Sequence, residues 1–359
     1  MLNSLQACRA VAAILVVLLH TSQGIFRLEK YFGHKPFGPL FDFGSAGVDF
    51  FFVLSGFIMM HVHAGDVGRP RALGAYLWKR FSRIYPVYWV ALAAVIPIYF
   101  LVPHFGIGYE RDPDVLLCSV FLIPHPQSHL VIGVAWTLVY EVFFYLLFGL
   151  LILNKRVGIV VFVIWTGGLL VYPWYGAHLS SFVFNNMNFR FIAGLGVAII
   201  LQRWQIPLPR LVALTGVGVF LGTGLFEAYD GPLGLWTQCV GFTMGSALTL
   251  AGLVQAERSG LLQPPRWLVY LGNASYGIYL VHFLGLSILA KIAKAGHLDE
   301  YLPGTVLFGL HVAGAIAIGC AFHHVVEHPI HAWAKRFFRA ARTPSPSVVV
   351  PESAARQAA

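Results

Sequence analysis

Four ionisable residues interrupt apolar stretches of this 359-residue chain: His20, Asp49, Glu141 and His282. A charged side chain at the centre of a bilayer costs about 2.5–3.5 kcal/mol on insertion scales, so each of them indicates a function or a specific partner. Imidazoles exchange protons near neutral pH, and neighbouring groups can tune them for acid–base catalysis. The residue types therefore predict proton-transfer chemistry in a buried layer. Two separate histidine–acid hydrogen bonds that only hold a bundle together are the structural alternative.

Arg9 lies in the same apolar stretch as His20. With a helical rise of about 1.5 Å and a turn of about 100° per residue, their spacing places them about 16 Å apart and nearly on one face. The same rise places Glu141 and His282 about 12 Å inside their apolar segments, near the middle of a hydrocarbon core about 30 Å thick. We expect these two to share a layer with His20, and Asp49 to lie nearer the outside. A snorkelling arginine and a core histidine are the alternative for Arg9 and His20 alone.

A basic and aromatic segment precedes Pro86. Its cations, Lys79, Arg80 and Arg83, suit a polyphosphate ligand, because charge-assisted hydrogen bonds to phosphate oxygens are strong. Tyr85 and the neighbouring aromatic rings are available to stack on a nucleotide base. A positively charged anchor at the cytoplasmic end of a span, with an interfacial aromatic belt, is the structural alternative.

Composition places these residues in a membrane protein. Hydrophobic residues make up 58% of the chain and charged residues 11%, whereas a soluble domain is about 25% charged. The net charge of +9 is what basic cytoplasmic loops produce, so it does not indicate nucleic-acid binding. The four cysteines are scattered without paired spacing and predict neither a metal site nor a disulfide framework.

Ten apolar segments are long enough, or nearly so, to cross a bilayer as helices. We therefore predict an all-α fold, a polytopic transmembrane helical bundle of about ten spans, and we interpret the first segment as a retained span rather than a signal peptide. The predicted spans cover residues 5–23, 45–63, 84–102, 134–153, 157–174, 188–202, 209–226, 234–255, 275–294 and 304–324.

Loop charges predict the orientation of this bundle. With the N-terminus in the cytoplasm, lysine and arginine fall in the inner turns and the acids fall in the outer loops, as the positive-inside rule requires. Both termini are then cytoplasmic. Residues 24–44 and 103–133 are longer outer loops that can shape an external mouth. Residues 1–335 form the transmembrane domain, and 336–359 are a basic segment followed by a disordered cytoplasmic tail.

Six short motifs occur in a fixed order over residues 5–330. They are RAVAAILVVLLH at 9–20, GVDFFFVLSGF at 47–57, KRFSRIYP at 79–86, WTLVYE at 136–141, SYGIYLVH at 275–282 and EHP at 327–329. Together they resemble the acyltransferase-3 family of bacterial integral membrane proteins, and within it the exopolysaccharide-production acetyltransferases. One residue departs from that subgroup: Arg190 is a cation where an acid is expected.

The resemblance implies a function for the domain at 1–335. It would be a membrane-bound O-acyltransferase of the bacterial inner membrane that moves an acetyl group from cytoplasmic acetyl-CoA to a hydroxyl of a glycan. The expected partners are acetyl-CoA as co-substrate, a polysaccharide or lipid-linked glycan acceptor and the lipid bilayer. No permanently bound cofactor, no metal and no nucleic acid are expected, and the oligomeric state is left open.

The same resemblance suggests roles for the polar residues. His20 is the predicted general base, Asp49 or Glu141 would orient its imidazole, and His282 or Tyr279 would bind the acceptor or the developing oxyanion. An acetyl-imidazole intermediate on His20 is the alternative chemistry. The residues predicted to bind acyl-CoA are Arg9, Lys79, Arg80, Arg83 and Tyr85, and those predicted to bind the acceptor are Trp136 and Tyr279.

Two other classes of protein fit parts of the pattern. A proton-coupled glycan or small-molecule transporter also needs histidine and glutamate at the midplane, but no internal repeat is visible in the sequence. A metal or haem protein is suggested by clustered imidazoles. These clusters fall at the predicted cytoplasmic interface, where solvated imidazoles are common, and comprise His61, His63, His323, His324, His328 and His331.

Overall fold

The computed structural model describes residues 2–175 and 182–340, and every regular element within these ranges is helical. Eight of the described helical segments are long and apolar enough to cross a membrane. The prediction of an all-α, multi-pass membrane bundle is therefore confirmed. In chain order the helices are α1 (Asn3–Thr21), α2 (Ala46–His63), α3 (Leu73–Leu101), α4 (Pro113–Phe121), α5 (Trp136–Leu153), α6 (Lys155–Tyr175), α7 (Asn188–Arg203), α8 (Pro209–Asp230), α9 (Leu235–Arg258), α10 (Arg266–Asn273), α11 (Ser275–Ala295), α12 (Leu298–Tyr301), α13 (Gly304–Phe322) and α14 (His328–Ala340).

All ten predicted spans coincide with helices in the described ranges. The helices at the fifth and sixth predicted spans, α6 and α7, are not among the eight segments that have the length and hydropathy for crossing. α7 has 16 residues, fewer than the roughly 20 that cross the hydrocarbon without distortion. The count of ten spans and the cytoplasmic position of both termini stay predictions.

α3 differs most from its predicted span, whose expected start is residue 84. The helix is continuous from Leu73 to Leu101 and passes through Pro86 and Pro97. A proline removes one backbone hydrogen bond, but transmembrane helices tolerate it where neighbouring groups satisfy the freed carbonyl. The basic segment that includes Lys79 and Arg83 is therefore part of the helix and not a loop before it.

Two segments that were expected to be irregular contain helices. α4 lies within the outer loop predicted at 103–133, and α14 continues through residue 336, the predicted start of the tail. A π-helical segment, His323–Glu327, joins α13 to α14. Residues 341–359, which form the rest of the predicted tail, lie outside the described residues.

α2 and α7 pack with their backbones in contact, because two glycines face the partner helix. A Cβ atom on Gly56 would lie 2.0 Å from the carbonyl oxygen of Phe191, and one on Gly194 would lie 2.0 Å from that of Val53. Small residues permit such a close approach between transmembrane helices. Phe52 of α2 also stacks on Phe191, so side chains at this interface have little freedom to move.

α1 begins at a carboxylate supplied by the end of α9. Glu257 accepts hydrogen bonds from the backbone N–H groups of Asn3 at 2.8 Å and Ser4 at 2.7 Å. The first N–H groups of a helix have no partner within it, and an acid there also complements the helix dipole. α1 contacts α2, α9, α10, α11 and α13. The helix that carries Arg9 and His20 is therefore central in the bundle.

Candidate active site

His20 and His282 form a direct pair. Nδ1 of His20 lies 3.2 Å from Nε2 of His282, and the two ring centroids are 4.9 Å apart. His282 is fully buried, whereas His20 is partly buried against the ring of Phe283. α1 supplies one imidazole and α11 the other, so the structure brings together the two histidines that were predicted to share a layer.

Two backbone carbonyls define the tautomers of this imidazole pair. Nδ1 of His282 lies 2.7 Å from the carbonyl oxygen of Tyr279. A carbonyl only accepts, so this Nδ1 carries the proton and Nε2 is the acceptor. Nδ1 of His20 lies 2.9 Å from the carbonyl oxygen of Val16, so it also carries its proton, which that carbonyl shares with Nε2 of His282. The neutral pair therefore leaves the lone pair on Nε2 of His20 available to take up a proton or attack a carbonyl.

A cavity of about 80 Å³ lies among α1, α2, α3, α5 and α11. Part of its wall is apolar and includes Phe52 and Leu138. The rest is polar, so the space suits a ligand that has both kinds of group. We call it the central cavity, and the polar residues used below are Arg9, Arg80, Arg83, Glu141, Ser275 and Tyr279.

Two polar atoms of the central cavity have no hydrogen-bond partner among the described residues. They are Nε of Arg80 and Oγ of Ser275, and both are buried. An unpaired buried polar group costs about 1–3 kcal/mol, so native proteins retain few of them. Both residues belong to the wall of the central cavity, so a ligand that enters it would lie close to these two atoms.

A second cavity adjoins the central cavity and is rich in cations. We call it the basic mouth, after its lining residues Arg9, Lys79, Arg83 and Lys335. The two cavities share Arg9, Arg83 and Tyr276, so they lie side by side, and together they are the candidate path for a ligand. Several cations around one opening favour an anionic ligand, and arginine and lysine are the residues that bind phosphate.

Arg80 is held at the central cavity by a chain of polar groups. Nδ1 of His63 donates to Asp66 at 2.8 Å, and Nε2 of His63 accepts from Nη2 of Arg80 at 2.8 Å. The guanidinium also lies over the ring of Tyr145, 5.4 Å from its centroid. The interpretation of His63 as a solvated imidazole is wrong, because its side chain is only 1% exposed. It instead fixes the cation that faces the cavity.

Asp49, one of the two acids predicted to orient His20, has another partner. It forms an ion pair with Arg190 of α7, and the two residues are 4% and 1% exposed. Removing either charge would leave the other buried without a partner, which is strongly unfavourable. Arg190, the departure from the subgroup, is therefore neutralised by Asp49 inside the α2–α7 interface.

Glu141, the second predicted orienting acid, belongs to the central cavity. Its carboxylate accepts a hydrogen bond from the hydroxyl of Tyr145 and another from Oγ of Ser55 at 3.3 Å. It also interacts electrostatically with Arg9. Its contacts thus place it with the cations of the cavity, and the group that orients the imidazole of His20 is His282.

The sequence of residues 2–324 matches the acyltransferase-domain family. The chain belongs to this family. The match covers most of the protein and confirms the resemblance carried by the six motifs. The protein is therefore an acyltransferase, and this membership favours an enzyme over the transporter that the polar midplane residues also suggested.

Two relatives align with the acyltransferase over most of their length. The exopolysaccharide production protein ExoZ of Rhizobium meliloti is 28% identical over 332 residues, 85% of this chain and 94% of ExoZ. The acyltransferase MdmB of Streptomyces mycarofaciens is 27% identical over an alignment of 374 positions that covers 91% of each chain. Protein 2 of the picA locus of Rhizobium radiobacter is 34% identical over 98 residues, 27% of this chain and 44% of that protein. No solved structure matches the chain significantly.

Two predicted ligand-binding residues of the acyltransferase lie outside the walls of both cavities. Tyr85 stacks on Phe81, and its hydroxyl donates to the carbonyl oxygen of Phe121. Trp136, at the start of α5, packs edge-to-face on Phe52. The roles suggested for both stay predictions. The four cations predicted to bind acyl-CoA, in contrast, do line the path, and they are Arg9, Lys79, Arg80 and Arg83.

Several polar residues near the acyltransferase's central cavity had no role predicted from the sequence. Tyr145 follows Glu141 by four positions, a spacing at which helical side chains meet, so the pair could have been predicted. Ser275 lies in one of the six motifs but had no assigned role. No local pattern predicts the contact of His63 with Arg80, because it joins two different helices.

The histidines near the basic mouth make separate hydrogen bonds. Nδ1 of His323 donates to Glu327 at 2.8 Å, and Nε2 of His331 lies 3.3 Å from the carbonyl oxygen of Arg83. Within residues 2–175 and 182–340, no group of three or more metal-binding side chains is arranged to hold an ion. The contact of His331 ties α14 to α3 at the edge of the basic mouth.

An ionised acid stabilises the loop that joins α3 to α4. Glu110 accepts hydrogen bonds from the backbone N–H groups of Ile107 and Gly108, both at 2.8 Å. Burial alone would raise the pKa of Glu110, but these hydrogen bonds outweigh it and hold the pKa below its ordinary value. Beside it, Tyr109 stacks on His129 with centroids 4.0 Å apart. The predicted external mouth therefore includes an acid-stabilised turn.

Proposed function

We propose that the acyltransferase is an O-acetyltransferase of the bacterial inner membrane. It moves an acetyl group from cytoplasmic acetyl-CoA to a hydroxyl of a cell-surface or exported glycan, either a polysaccharide or a lipid-linked sugar. The observation that carries this proposal is the path from the basic mouth through the central cavity to the edge of the imidazole pair. The name of the relative ExoZ, an exopolysaccharide production protein, supports a glycan as acceptor.

The nucleotide end of acetyl-CoA binds at the basic mouth in this proposal. Its phosphates require cations, and Arg9, Lys79 and Arg83 line the opening. Lys335 of α14 is a fourth cation at this opening, and only the fold brings it there. Under the predicted topology the basic mouth faces the cytoplasm, where acetyl-CoA is available.

The pantetheine arm of the donor lies in the central cavity. This arm combines amide groups with an apolar stem, so it needs walls of both kinds. The unpartnered Nε of Arg80 can donate to an amide carbonyl, and Oγ of Ser275 can donate or accept. The carboxylate of Glu141 can accept from an amide N–H. The proposal thus accounts for polar atoms that are otherwise buried without a partner.

His20 acts as the general base. Its Nε2 takes the proton of the acceptor hydroxyl while the hydroxyl oxygen attacks the carbonyl carbon of the thioester. When the tetrahedral intermediate collapses, the carbon–sulfur bond breaks, and the same nitrogen returns its proton to the thiolate of CoA. His282 holds the opposite nitrogen of His20 and accepts from the imidazolium that forms. The products are the acetylated glycan and free CoA.

The glycan hydroxyl approaches His20 from the side opposite the basic mouth. This sidedness follows from the predicted topology, with the donor cations inside and the acid-bearing loops outside. Trp136 is proposed to contact the acceptor, because it begins α5 at the end far from the basic residues Lys155 and Arg156. A donor and an acceptor that enter from opposite faces can meet only at the buried imidazole pair.

Oriented vesicles test this proposal. The purified protein is reconstituted with the basic mouth accessible from outside, and isotopically labelled acetyl-CoA is added there. The vesicle interior holds polysaccharide extracted from cells that lack the protein. Mass spectrometry is expected to find labelled acetyl esters on this polysaccharide, and none with His20→Ala. An absence of label in every arrangement would contradict transfer to a glycan. Label that requires both substrates on one side would contradict the crossing.

A further inference from the structure

The central cavity ends at the ring of Tyr279. This ring lines the cavity and is 7% exposed. It packs edge-to-face on Phe51 with centroids 5.9 Å apart, and the ring of His282 lies 5.9 Å from it. In the described part of the chain, the lining of the central cavity includes Tyr279 but neither His20 nor His282. Tyr279 therefore lies between the central cavity and the imidazole pair, and we call its ring the partition.

Hydrogen bonds to α5 and to the short turn that precedes it hold Tyr279 in this position. Its hydroxyl lies 2.8 Å from Oγ1 of Thr137 and donates to the carbonyl oxygen of Val134 at 3.0 Å. Tyr279 belongs to α11, so these bonds close the gap between two helices. Hydrogen bonds between neutral groups contribute modestly to stability, so a ligand that fills the cavity can replace them.

A partition at this point has a chemical purpose. Water that reached the imidazole pair could compete with the acceptor: its oxygen would attack the thioester carbonyl, His20 would take its proton, and the carbon–sulfur bond would break to give acetate and free thiol. Enzymes that handle reactive acyl groups suppress such side reactions by excluding water. The central cavity adjoins the basic mouth, which is open to solvent, so the barrier must lie beyond both.

We propose that Tyr279 determines whether the acyl group is transferred to the glycan or lost to water. Its hydroxyl, held by Thr137 and Val134, keeps the ring between the central cavity and His20 until the arm of the donor fills the cavity. The arm then excludes water from the path that the ring has opened. This inference rests on the proposed function, because it assumes a thioester donor that enters through the basic mouth.

The inference is tested by measuring thiol release with and without acceptor. The purified protein is incubated with acetyl-CoA alone, and free thiol is followed with a colorimetric thiol reagent. Thr137→Val removes the hydroxyl partner and leaves Tyr279 intact, whereas Tyr279→Phe keeps the ring and removes both bonds. We expect either variant to raise acceptor-independent thiol release at least fivefold and to lower the ratio of transfer to hydrolysis. Thr137→Ser is expected to restore the wild-type ratio.

Tyr140→Phe is the matched control, because it removes a hydroxyl from α5, the helix of Thr137, and leaves a ring that packs on Phe182 and Phe52. If the wild type acetylates the glycan and neither Tyr279→Phe nor Thr137→Val raises hydrolysis, the partition is overturned. If the variants release thiol and no form acetylates a glycan, the partition stands and the acceptor of the proposed function is wrong. If no form releases thiol from acetyl-CoA, both are overturned.

Discussion

The basic mouth and the imidazole pair lie on one path but differ in nearly every physical respect. The mouth is wide and cationic, with Arg9, Lys79 and Arg83 on its wall. The imidazole pair is neutral, and backbone carbonyls define which ring nitrogen carries the proton on His20 and on His282. Attraction of a phosphate needs charge and space, whereas proton transfer needs a defined tautomer at a fixed position.

This difference has a kinetic meaning. Residues that only bind the donor should change the apparent KM, because they contribute equally before and during the reaction. Residues that act on the moving proton should change kcat, because their contribution arises in the transition state. Mutations in the basic mouth should therefore change mainly KM, and mutations in the imidazole pair should change mainly kcat.

His20→Ala should have the largest effect. It removes the nitrogen that takes up the hydroxyl proton, and we expect kcat to fall by about 10²–10⁴-fold, the usual contribution of general acid–base catalysis. The affinity for CoA, measured by isothermal titration calorimetry on the purified protein, should stay within about twofold of wild type on the same reasoning. Near-normal turnover of His20→Ala would contradict its role as general base and would indicate His282 instead.

His282→Leu should lower kcat by about 10–100-fold, because the imidazolium that forms on His20 loses its hydrogen bond to His282, and a hydrogen bond to a charged group contributes about 1.5–3 kcal/mol. His282→Gln places an amide oxygen near the same position and should recover part of this loss. The pH–rate profile of each variant checks the assignment, since a purely structural role would leave its shape unchanged. Equal losses in both variants with a wild-type profile would contradict the orienting role.

Arg83→Ala should raise the apparent KM for acetyl-CoA about tenfold or more and leave kcat nearly unchanged. A charge-assisted hydrogen bond to phosphate contributes about 1.5–3 kcal/mol, which corresponds to this factor. Arg80→Ala should also raise the apparent KM, because Arg80 is proposed to bind the pantetheine arm of acetyl-CoA. Arg203→Ala removes a cation outside the basic mouth and is the matched control. If Arg83→Ala and Arg80→Ala bind CoA normally, the basic segment is only a topology anchor.

His63→Ala should raise the apparent KM by a smaller factor, about fivefold, because it removes one hydrogen bond of about 1 kcal/mol that holds Arg80. His61→Ala changes a histidine two positions away that stacks on Phe57 and has no contact with Arg80 among the described residues. Steady-state kinetics of the two variants should differ. A change in kcat without a change in KM would contradict the proposed link between His63 and donor binding.

Tyr85→Phe should have the smallest effect. Its hydroxyl bonds to the backbone of Phe121 outside the basic mouth, so KM and kcat should both stay within about twofold of wild type, given how little an exposed hydrogen bond contributes. The same steady-state assay measures both constants. A fivefold rise in KM for Tyr85→Leu, which removes the ring that Tyr85→Phe retains, would support the prediction that this ring stacks on the nucleotide base.

The positions of the helices were largely predictable from the sequence. About 20 consecutive apolar residues in a bilayer must satisfy their backbone groups internally, so they form helices wherever they occur. The start of α3 at Leu73 was not predicted, because charged residues such as Lys79 and Arg83 precede the apolar run that begins at residue 84. α14 was missed because its basic residues, such as Lys335, resemble a solvated tail.

The site was predictable in depth but not in lateral position. Helical rise correctly grouped His20 with His282, since depth depends only on counting residues along a span. It could not assign partners to Asp49, because these depend on which face of α2 meets α7. The close contact at Gly56 decides that, and it places Arg190 beside Asp49. Partners across helices follow from packing, which no periodicity in one segment reveals.

The bond between Glu257 and the start of α1 has a consequence for the order in which the protein is assembled. α1 leaves the ribosome before α9, and the carboxylate that accepts from Asn3 and Ser4 lies 254 and 253 positions later in the chain. Contacts so distant in sequence form late. Arg9 and His20 therefore acquire their final surroundings only after α9 and α11 have been inserted. A nascent chain that ends before α9 therefore lacks both the carboxylate at the start of α1 and the histidine that pairs with His20.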